Sequence, residues 1–305
     1  MGGWRAADIP DLTGRRSIVT GANSGIGYHT ALELARHGAH VLLACRSAQR
    51  GAEAVQRIRA EVPGATVALG SLDLSDLRSV RAFAEEHAGH GLDVLVNNAG
   101  VMALPRQTTA DGFEMQFGTN HLGHFALTGL LLPALLQRPD SRVVTVTSML
   151  AWNGRLRFDD LQGERGYRRW TAYCQAKLAN LVFTKELHRR VRSVLSVAAH
   201  PGYASTELQQ RSARIEGSRL RERFYGLGNL MLAQPAAAGA LPSLYAATAP
   251  GVQGGECYGP RGLGQQRGLP TRVRTIARAA DPETGRRLWE ASERLTGVTY
   301  EVAAG

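Results

Sequence analysis

The sequence predicts an α/β fold, a single doubly wound parallel sheet with helices on both faces. Three observations predict it. Short apolar runs recur without polar alternation, as in Val41-Leu42-Leu43-Ala44 and Val94-Leu95-Val96, which suits strands buried on both faces. Segments of helical periodicity separate them, and strand, helix, strand at this spacing implies right-handed crossovers between parallel strands. The chain has 305 residues, enough for one large α/β domain and short for two, so residues 1–305 read as one domain with 1–12 as an N-terminal extension.

The elements follow in order. Ser17 to Thr20 is a strand that ends in glycines, and Gly25 to His37 a helix with Ile26, Ala31, Leu34 and Ala35 as its buried stripe, stopped by Gly38. Val41 to Ala44 is the next strand and Gln49 to Glu61 the next helix, ended by Pro63-Gly64. Thr66 to Leu69, Ser75 to His87 and Val94 to Val96 continue the alternation. Phe113 to Leu136 reads as one long helix, Arg142 to Thr147 as a strand, Trp170 to Val191 as a helix and Val194 to Ala199 as a strand. Ala236 to Ala247 and Glu283 to Leu295 read as helices, with Cys257-Tyr258 as a last short strand. Met149 to Arg169 and Thr206 to Ala233 are longer than simple connections need, and long connections in a compact domain tend to be functional.

The formal charge is +10, which raises a nucleic-acid or membrane partner. The arginines are scattered, however, and no compact basic patch with interleaved aromatics occurs, so no nucleic-acid partner is expected. No apolar run approaches a membrane span, and the first twelve residues do not read as a signal peptide. Cys45, Cys174 and Cys257 lie far apart without metal-ligand spacing. A reducing cytoplasmic setting with no disulfide and no metal site is the expectation.

Gly21, Asn23, Ser24, Gly25, Ile26 and Gly27 form a glycine turn between the first strand and the first helix. A helix start offers unpaired backbone N–H groups and a positive dipole end, which suits a pyrophosphate, and glycine lets the backbone approach it. The placement points to a Rossmann-like dinucleotide site, although a plain glycine turn would share the pattern. The second strand ends Ala44-Cys45-Arg46-Ser47, with no carboxylate for an adenosine ribose hydroxyl. Arg46 offers a fork for a 2′-phosphate, so NADP(H) is expected over NAD(H), against the plainer reading of a surface arginine.

Tyr173 and Lys177 stand four apart in a helical segment and so share a face. Reduction of a carbonyl needs a proton at the developing alkoxide, and an ammonium near a phenol should lower its pKa toward neutrality. An ordinary helix-face pair has the same spacing. Ser148 follows a strand at the end where open α/β sheets hold ligands. Asn98, Ala99 and Gly100 follow another strand, Asp73 and Leu74 the third, and Asn120 lies within the long helix. Each is unremarkable alone.

Together these residues resemble the short-chain dehydrogenase/reductase family, from about Leu12 to about Pro260. TGANSGIG, NNAG, Ser148 and YCQAK in that order are highly specific. Within the family, VLLACRS, GTNHLGHFALT, FDDLQGERGY, AKLANLVFTKEL and AAHPGYASTEL look like the retinol-dehydrogenase-like branch. The resemblance implies Tyr173 as acid/base, Lys177 on the nicotinamide ribose, Ser148 on the carbonyl and Asn120 on a water-linked proton path. It implies Gly21, Gly25 and Gly27 at the pyrophosphate, Asp73 and Asn98 on the adenosine side, and Pro201, Gly202 and Thr206 beside the nicotinamide. Ala176 replaces the family's usual serine, and the Ser148-to-Tyr173 separation exceeds the commoner spacing, a feature the branch shares.

The expected activity interconverts a carbonyl and an alcohol. The expected substrate is apolar, held under the two long segments through Leu150, Trp152, Leu156 and Phe158 and through Phe224, Tyr225, Leu227, Leu230, Met231 and Leu232. Packing of these residues on the domain's own core is the plainer alternative, and Arg219, Arg221 and Arg223 before an apolar stretch leave a membrane-surface helix as another. A coenzyme sensor without catalysis on the same fold is the competing function, disfavoured because Tyr173 and Lys177 both stand. A symmetric homo-oligomer is expected on general grounds and from the resemblance.

Overall fold

A computed structural model describes residues 3–203 and 234–301. The sheet has eight strands in the order β3-β2-β1-β4-β5-β6-β7-β8. These are β1 Arg16–Thr20, β2 His40–Cys45, β3 Val67–Ser71, β4 Val94–Asn97, β5 Arg142–Val146, β6 Leu195–Ala199, β7 Cys257–Pro260 and β8 Pro270–Arg272. All neighbours pair in parallel except β7 and β8, which are antiparallel. The strand order reverses between β1 and β4, and a doubly wound sheet binds its ligand at that crevice. The fold class is the one the apolar runs indicated. The antiparallel β8 was not foreseen, because three residues beginning with proline carry no strand signal.

Both faces of the sheet are buried, as the unalternating strands required. Successive residues Ile18 and Val19 enter opposite cores. The Val19 face is covered by α1 Gly25–Arg36, α2 Ala48–Glu61 and a helix over Ala236–Thr248. The Ile18 face is covered by α3 Leu77–His87, by the segment after Glu114, by the helix Arg169–Arg190 and by the C-terminal helix Pro282–Thr296.

The long helix expected over Phe113 to Leu136 is divided. It runs as α4 Met115–Phe117, a π turn Gly118–Leu122, α5 Gly123–Leu130 and α6 Leu132–Leu136. Gly118 and Gly123 flank the π turn, and Pro133 stands in the first turn of α6, where its missing N–H costs nothing. The remaining helices are then α7 Arg169–Arg190, α8 Ala236–Thr248 and α9 Pro282–Thr296.

Candidate active site

The coenzyme side is built on the end of β1. Gly21 and Gly25 have φ of +66° and +55°, a left-handed backbone that glycine adopts without strain. Ser24 is the N-cap of α1 but makes no side-chain cap bond, so the first N–H groups of a twelve-residue helix stay available. A Cβ at Gly27 would stand 2.5 Å from both Asn98 Nδ2 and Gly21 O, so only glycine lets the NNAG turn close on the glycine turn. That closure is made by Thr20. Its carbonyl accepts from Asn98 Nδ2 at 2.8 Å, and its hydroxyl accepts from the backbone N–H groups of Asn98 and Ala99, each at 2.9 Å. The Asn98 side-chain amide thus holds two strand ends together.

Asn23 is fixed through its carbonyl, which accepts from Arg57 Nη2 at 3.2 Å, and Ile26 is buried in the core below the turn. Arg46 directly follows β2, is exposed, and has no hydrogen-bond or ion-pair partner among the described residues. Cys45 pairs with Ser71, which puts Arg46 and Asp73 at neighbouring strand ends. Asp73 Oδ1 accepts from Ser75 N at 2.9 Å and Ser75 Oγ at 2.6 Å, and Leu74 is buried behind it. The uncapped helix start, the open space within 4 Å of a Cβ at Gly25, and the unpaired Arg46 fit the phosphates of a dinucleotide.

The catalytic side converges from β4, β5, α7 and the π turn. Lys177 is buried, and its Nζ donates to Val146 O at 3.0 Å. Asn180, one turn on, donates to the same carbonyl at 3.1 Å. Thr147 Oγ1 donates to Lys177 O at 2.7 Å and so clamps α7 to the end of β5. Ser148 is next in the chain. Its hydroxyl accepts from Leu150 N at 3.2 Å and lies within hydrogen-bonding reach of the Tyr173 phenol. Asn120 Oδ1 accepts from Val101 N at 2.7 Å, and its Nδ2 donates to Val101 O at 2.9 Å. A Cβ at Gly100 would come within 2.9 Å of Asn120 Oδ1 and 3.6 Å of Lys177 Nζ, so Gly100, Asn120 and Lys177 face one small space.

The electrostatics differ from the sequence expectation. Burial pushes the Tyr173 phenol up to about 12, and the Ser148 hydroxyl opposes that only in part. Burial also pushes Lys177 down to about 8. The ammonium was expected to lower the phenol. Instead it lies 5.9 Å from the centre of the Tyr173 ring and bonds to Val146 O, so desolvation of the phenolate dominates.

Pro201 and Gly202 leave the end of β6. Gly202 has φ of +67°, and its N–H donates to His200 Nδ1 at 3.2 Å. Buried His200 in turn meets Gln265 Oε1 at 3.0 Å, which ties this loop to the turn after β7. Thr206 and the whole segment 206–233 lie outside the described residues. In the other long segment, Leu156 and Phe158 are only partly buried. They pack beside Phe117, Leu122 and Leu178 in a third core cluster, because the segment folds back over α4 and α9. Trp152 and Trp170 are exposed, and Trp170 stands edge-on to Tyr173 with centroids 6.3 Å apart.

Sequence reasoning passed over Thr20, His124, His200, Asn180 and a buried network at Glu114, Gln116 and Tyr167. Gln116 Nε2 donates to Tyr167 Oη at 2.8 Å, and the Glu114 carboxylate accepts from the N–H groups of Gln116 and Phe117. The one available signal was the i, i+4 spacing of Asn120 and His124. Cys45, Cys174 and Cys257 are all buried and free, and no cluster of metal-binding side chains occurs among the described residues. No helix there is long and apolar enough to cross a membrane.

A short chain dehydrogenase family model matches residues 15–216. Retinol dehydrogenase 13 of Homo sapiens is 43% identical over 292 residues, which cover 94% of this chain and 86% of that protein. An uncharacterized protein from Mycobacterium paratuberculosis has a similar crystal structure, with 42% identity and a TM-score of 0.82 over 99% of this chain and 100% of that one. A structure described as an NAD(P)-dependent gluconate 5-dehydrogenase from Beutenbergia cavernae, with NADP bound at low occupancy, is 28% identical with a TM-score of 0.59 over 78% and 91% of the two chains. With the strand order, the glycine turn and the Ser148–Tyr173–Lys177 grouping already in hand, the chain belongs to the short-chain dehydrogenase/reductase family, in its retinol-dehydrogenase-like branch, and is an NAD(P)-dependent oxidoreductase of CH–OH and C=O groups.

Proposed function

We propose that the protein is an NADP(H)-dependent reductase of apolar aldehydes or ketones, acting in the reverse direction on the alcohols, with Tyr173 as the acid/base. The observation that carries this reading is the shared space at the ends of β4 and β5, where Ser148 reaches the Tyr173 phenol and Lys177, Asn120 and Gly100 converge. Gly21 to Gly27, Arg46 and Asp73 would hold the coenzyme, which when bound would supply the hydride. Ser148 Oγ donates to the substrate oxygen and polarises the carbonyl. Tyr173 Oη gives its proton to that oxygen as the carbon receives the hydride, so carbonyl, hydride and proton sum to the alcohol. The Ser148 hydroxyl and the Lys177 ammonium then stabilise the phenolate until it regains a proton. Lys177 would also hold the nicotinamide ribose, and Asn180, which shares Val146 O with it, would keep that carbonyl satisfied.

Preference for NADP(H) rests on the unpaired Arg46 and the lack of a carboxylate at the end of β2, supported by the NADP bound to the Beutenbergia cavernae relative. An apolar and retinoid-like substrate rests on the exposed indole of Trp170, edge-on to Tyr173, and on the relatives named retinol dehydrogenases. Three buried reduced cysteines suit the cytoplasm, and a symmetric homo-oligomer remains part of the reading. The test is a series of straight-chain aldehydes of rising length, followed at the nicotinamide absorbance with NADPH and with NADH. Each added CH₂ should raise kcat/KM by up to about fourfold until the pocket fills. A flat series, or a preference for small charged substrates, overturns the apolar reading.

A further inference from the structure

His124 lies one turn beyond Asn120, at the junction of the π turn and α5, and is fully buried. Its Nδ1 is 3.0 Å from Asn120 O and its Nε2 is 2.9 Å from Thr20 Oγ1. The donors and acceptors of this chain can be assigned without ambiguity. Asn120 O is a carbonyl and can only accept, so Nδ1 carries the hydrogen. Burial, with a smaller push from the Lys177 charge, takes His124 down to about 4, so the ring is neutral and Nε2 keeps its lone pair. Thr20 Oγ1 therefore donates to Nε2, while itself accepting from the N–H groups of Asn98 and Ala99. One directed chain runs from the turn that closes the coenzyme site, through Thr20 and His124, to the main-chain oxygen of Asn120.

The Asn120 carbonyl lies inside the π turn, whose closing bond runs from Gly123 N to Gly118 O, a span of five residues. We infer that His124 is a positioning residue that fixes the Asn120 carbonyl relative to the coenzyme turn, so that seating the coenzyme and aligning the proton path are one event. The inference rests on the proposed roles of Asn120 and Tyr173, and on the family's coenzyme.

The two ends of the chain are not equally replaceable. Thr20 Oγ1 has a second acceptor within reach, Val96 O at 3.3 Å, so the coenzyme turn keeps its closure if the imidazole is lost. At Asn120 O the His124 ring is the side-chain donor that the fold brings. Replacing His124 should therefore harm turnover more than coenzyme binding, and a side chain that restores only the donor to Asn120 should rescue.

The test begins without any substrate. In protein labelled with ¹⁵N-histidine, the His124 ring signal, identified by its loss in His124→Asn, should report the neutral Nδ1–H tautomer between pH 8 and pH 5. It should move when NADPH is added. The Nε2–H tautomer, or a signal indifferent to saturating NADPH, overturns the inference whether or not the enzyme's substrate is known. With an aldehyde that the wild type reduces, His124→Leu should lower kcat on the order of tenfold or more and enlarge the solvent deuterium isotope effect, with the NADPH Kd within about threefold. His124→Asn should recover most of the kcat. Thr20→Val should shift the NADPH Kd more than His124→Leu does. Losses in kcat, Kd and Tm that move together, with no rescue by asparagine, assign His124 to packing alone and overturn the inference. Failure of the aldehyde reading shows separately, as a wild type that reduces none of the series while the NMR result stands.

Discussion

The coenzyme half and the catalytic half of this site are built by different means. Around the glycine turn, the determinants sit within a few residues of one another. Gly21 and Gly25 supply a left-handed backbone, Ser24 starts α1 without capping it, and β1 ends where the turn begins. The catalytic half draws Ser148 from the end of β5, Tyr173 and Lys177 from α7, and Asn120 from a π turn held to Val101. Its geometry depends on partners far away in the chain, 19 residues in the Asn120–Val101 bonds and 104 in the His124–Thr20 bond. A local motif can be recognised from its own residues. An assembled one shows in the sequence only through the residues it gathers.

The largest expected effect separates the halves completely. Tyr173→Phe keeps the ring in its buried place and removes the proton donor. Turnover should fall by about 10²–10⁴, the range of general acid catalysis, while NADPH affinity stays within about threefold. Single-turnover reduction and a fluorescence titration read the two quantities. A Phe variant with wild-type turnover would reassign the proton to another group.

The next effect falls on the coenzyme half alone. Arg46→Ala removes an exposed guanidinium at the end of β2 that has no partner among the described residues, so no contact with them is lost. NADPH affinity should drop by roughly ten- to a hundredfold, the worth of a charge-assisted phosphate bond, with NADH affinity almost unchanged. Equal affinities for the two coenzymes in the wild type would remove the reason for assigning Arg46 to the 2′-phosphate.

Legibility follows the same division. The parallel strands β1 to β6 and helices α1 to α3 were readable to within two residues, because periodicity and glycine or proline stops mark them locally. Gly21, Gly25, Gly27 and Arg46 stand where a local motif puts them. The break of the Phe113–Leu136 helix was not readable, although its glycines and Pro133 were in view, because a π turn is paid for by tertiary bonds such as His124 to Thr20. Leu156 and Phe158, which follow Ser148, left a substrate pocket and core packing both open. Their packing against the third core cluster shows only in the path of the folded segment.

A third prediction concerns the histidines of the assembled half. Burial pushes His121 to about 3, and His124 and His200 each to about 4, well below the ordinary 6.5. Between those values the unfolded chain binds more protons than the folded protein, so stability rises with pH there. The contribution is whole above about pH 6.5 and is lost as pH falls toward 4. At pH 5 the loss is on the order of 1–2 kcal/mol for each histidine. Tm should therefore drop by several degrees from pH 7 to pH 5. His124→Asn should flatten that slope, and a slope unchanged by it would mean that another group carries the acid sensitivity.

The smallest effect tests whether the segment between Ser148 and Tyr173 is scaffold. Tyr167 Oη accepts from Gln116 Nε2 at 2.8 Å and lies 2.9 Å from Leu104 O and 3.1 Å from the Glu114 carboxylate. Glu114 caps the helix start that leads into the π turn, and burial raises its pKa. Tyr167→Phe keeps the ring and removes the hydroxyl. Gln116 Nε2 retains Arg169 O at 3.0 Å, so the bonds through the Tyr167 hydroxyl are lost without leaving that donor unpaired. The cost should be about 1–2 kcal/mol, a fall in Tm of roughly 2–6 °C for a chain of this size. If the segment only braces the fold, kcat and the NADPH Kd should each stay within about threefold of wild type. A loss of turnover larger than the stability change accounts for would make the Tyr167 network part of what aligns Asn120, and would extend the assembled half of the site out to the segment that covers it.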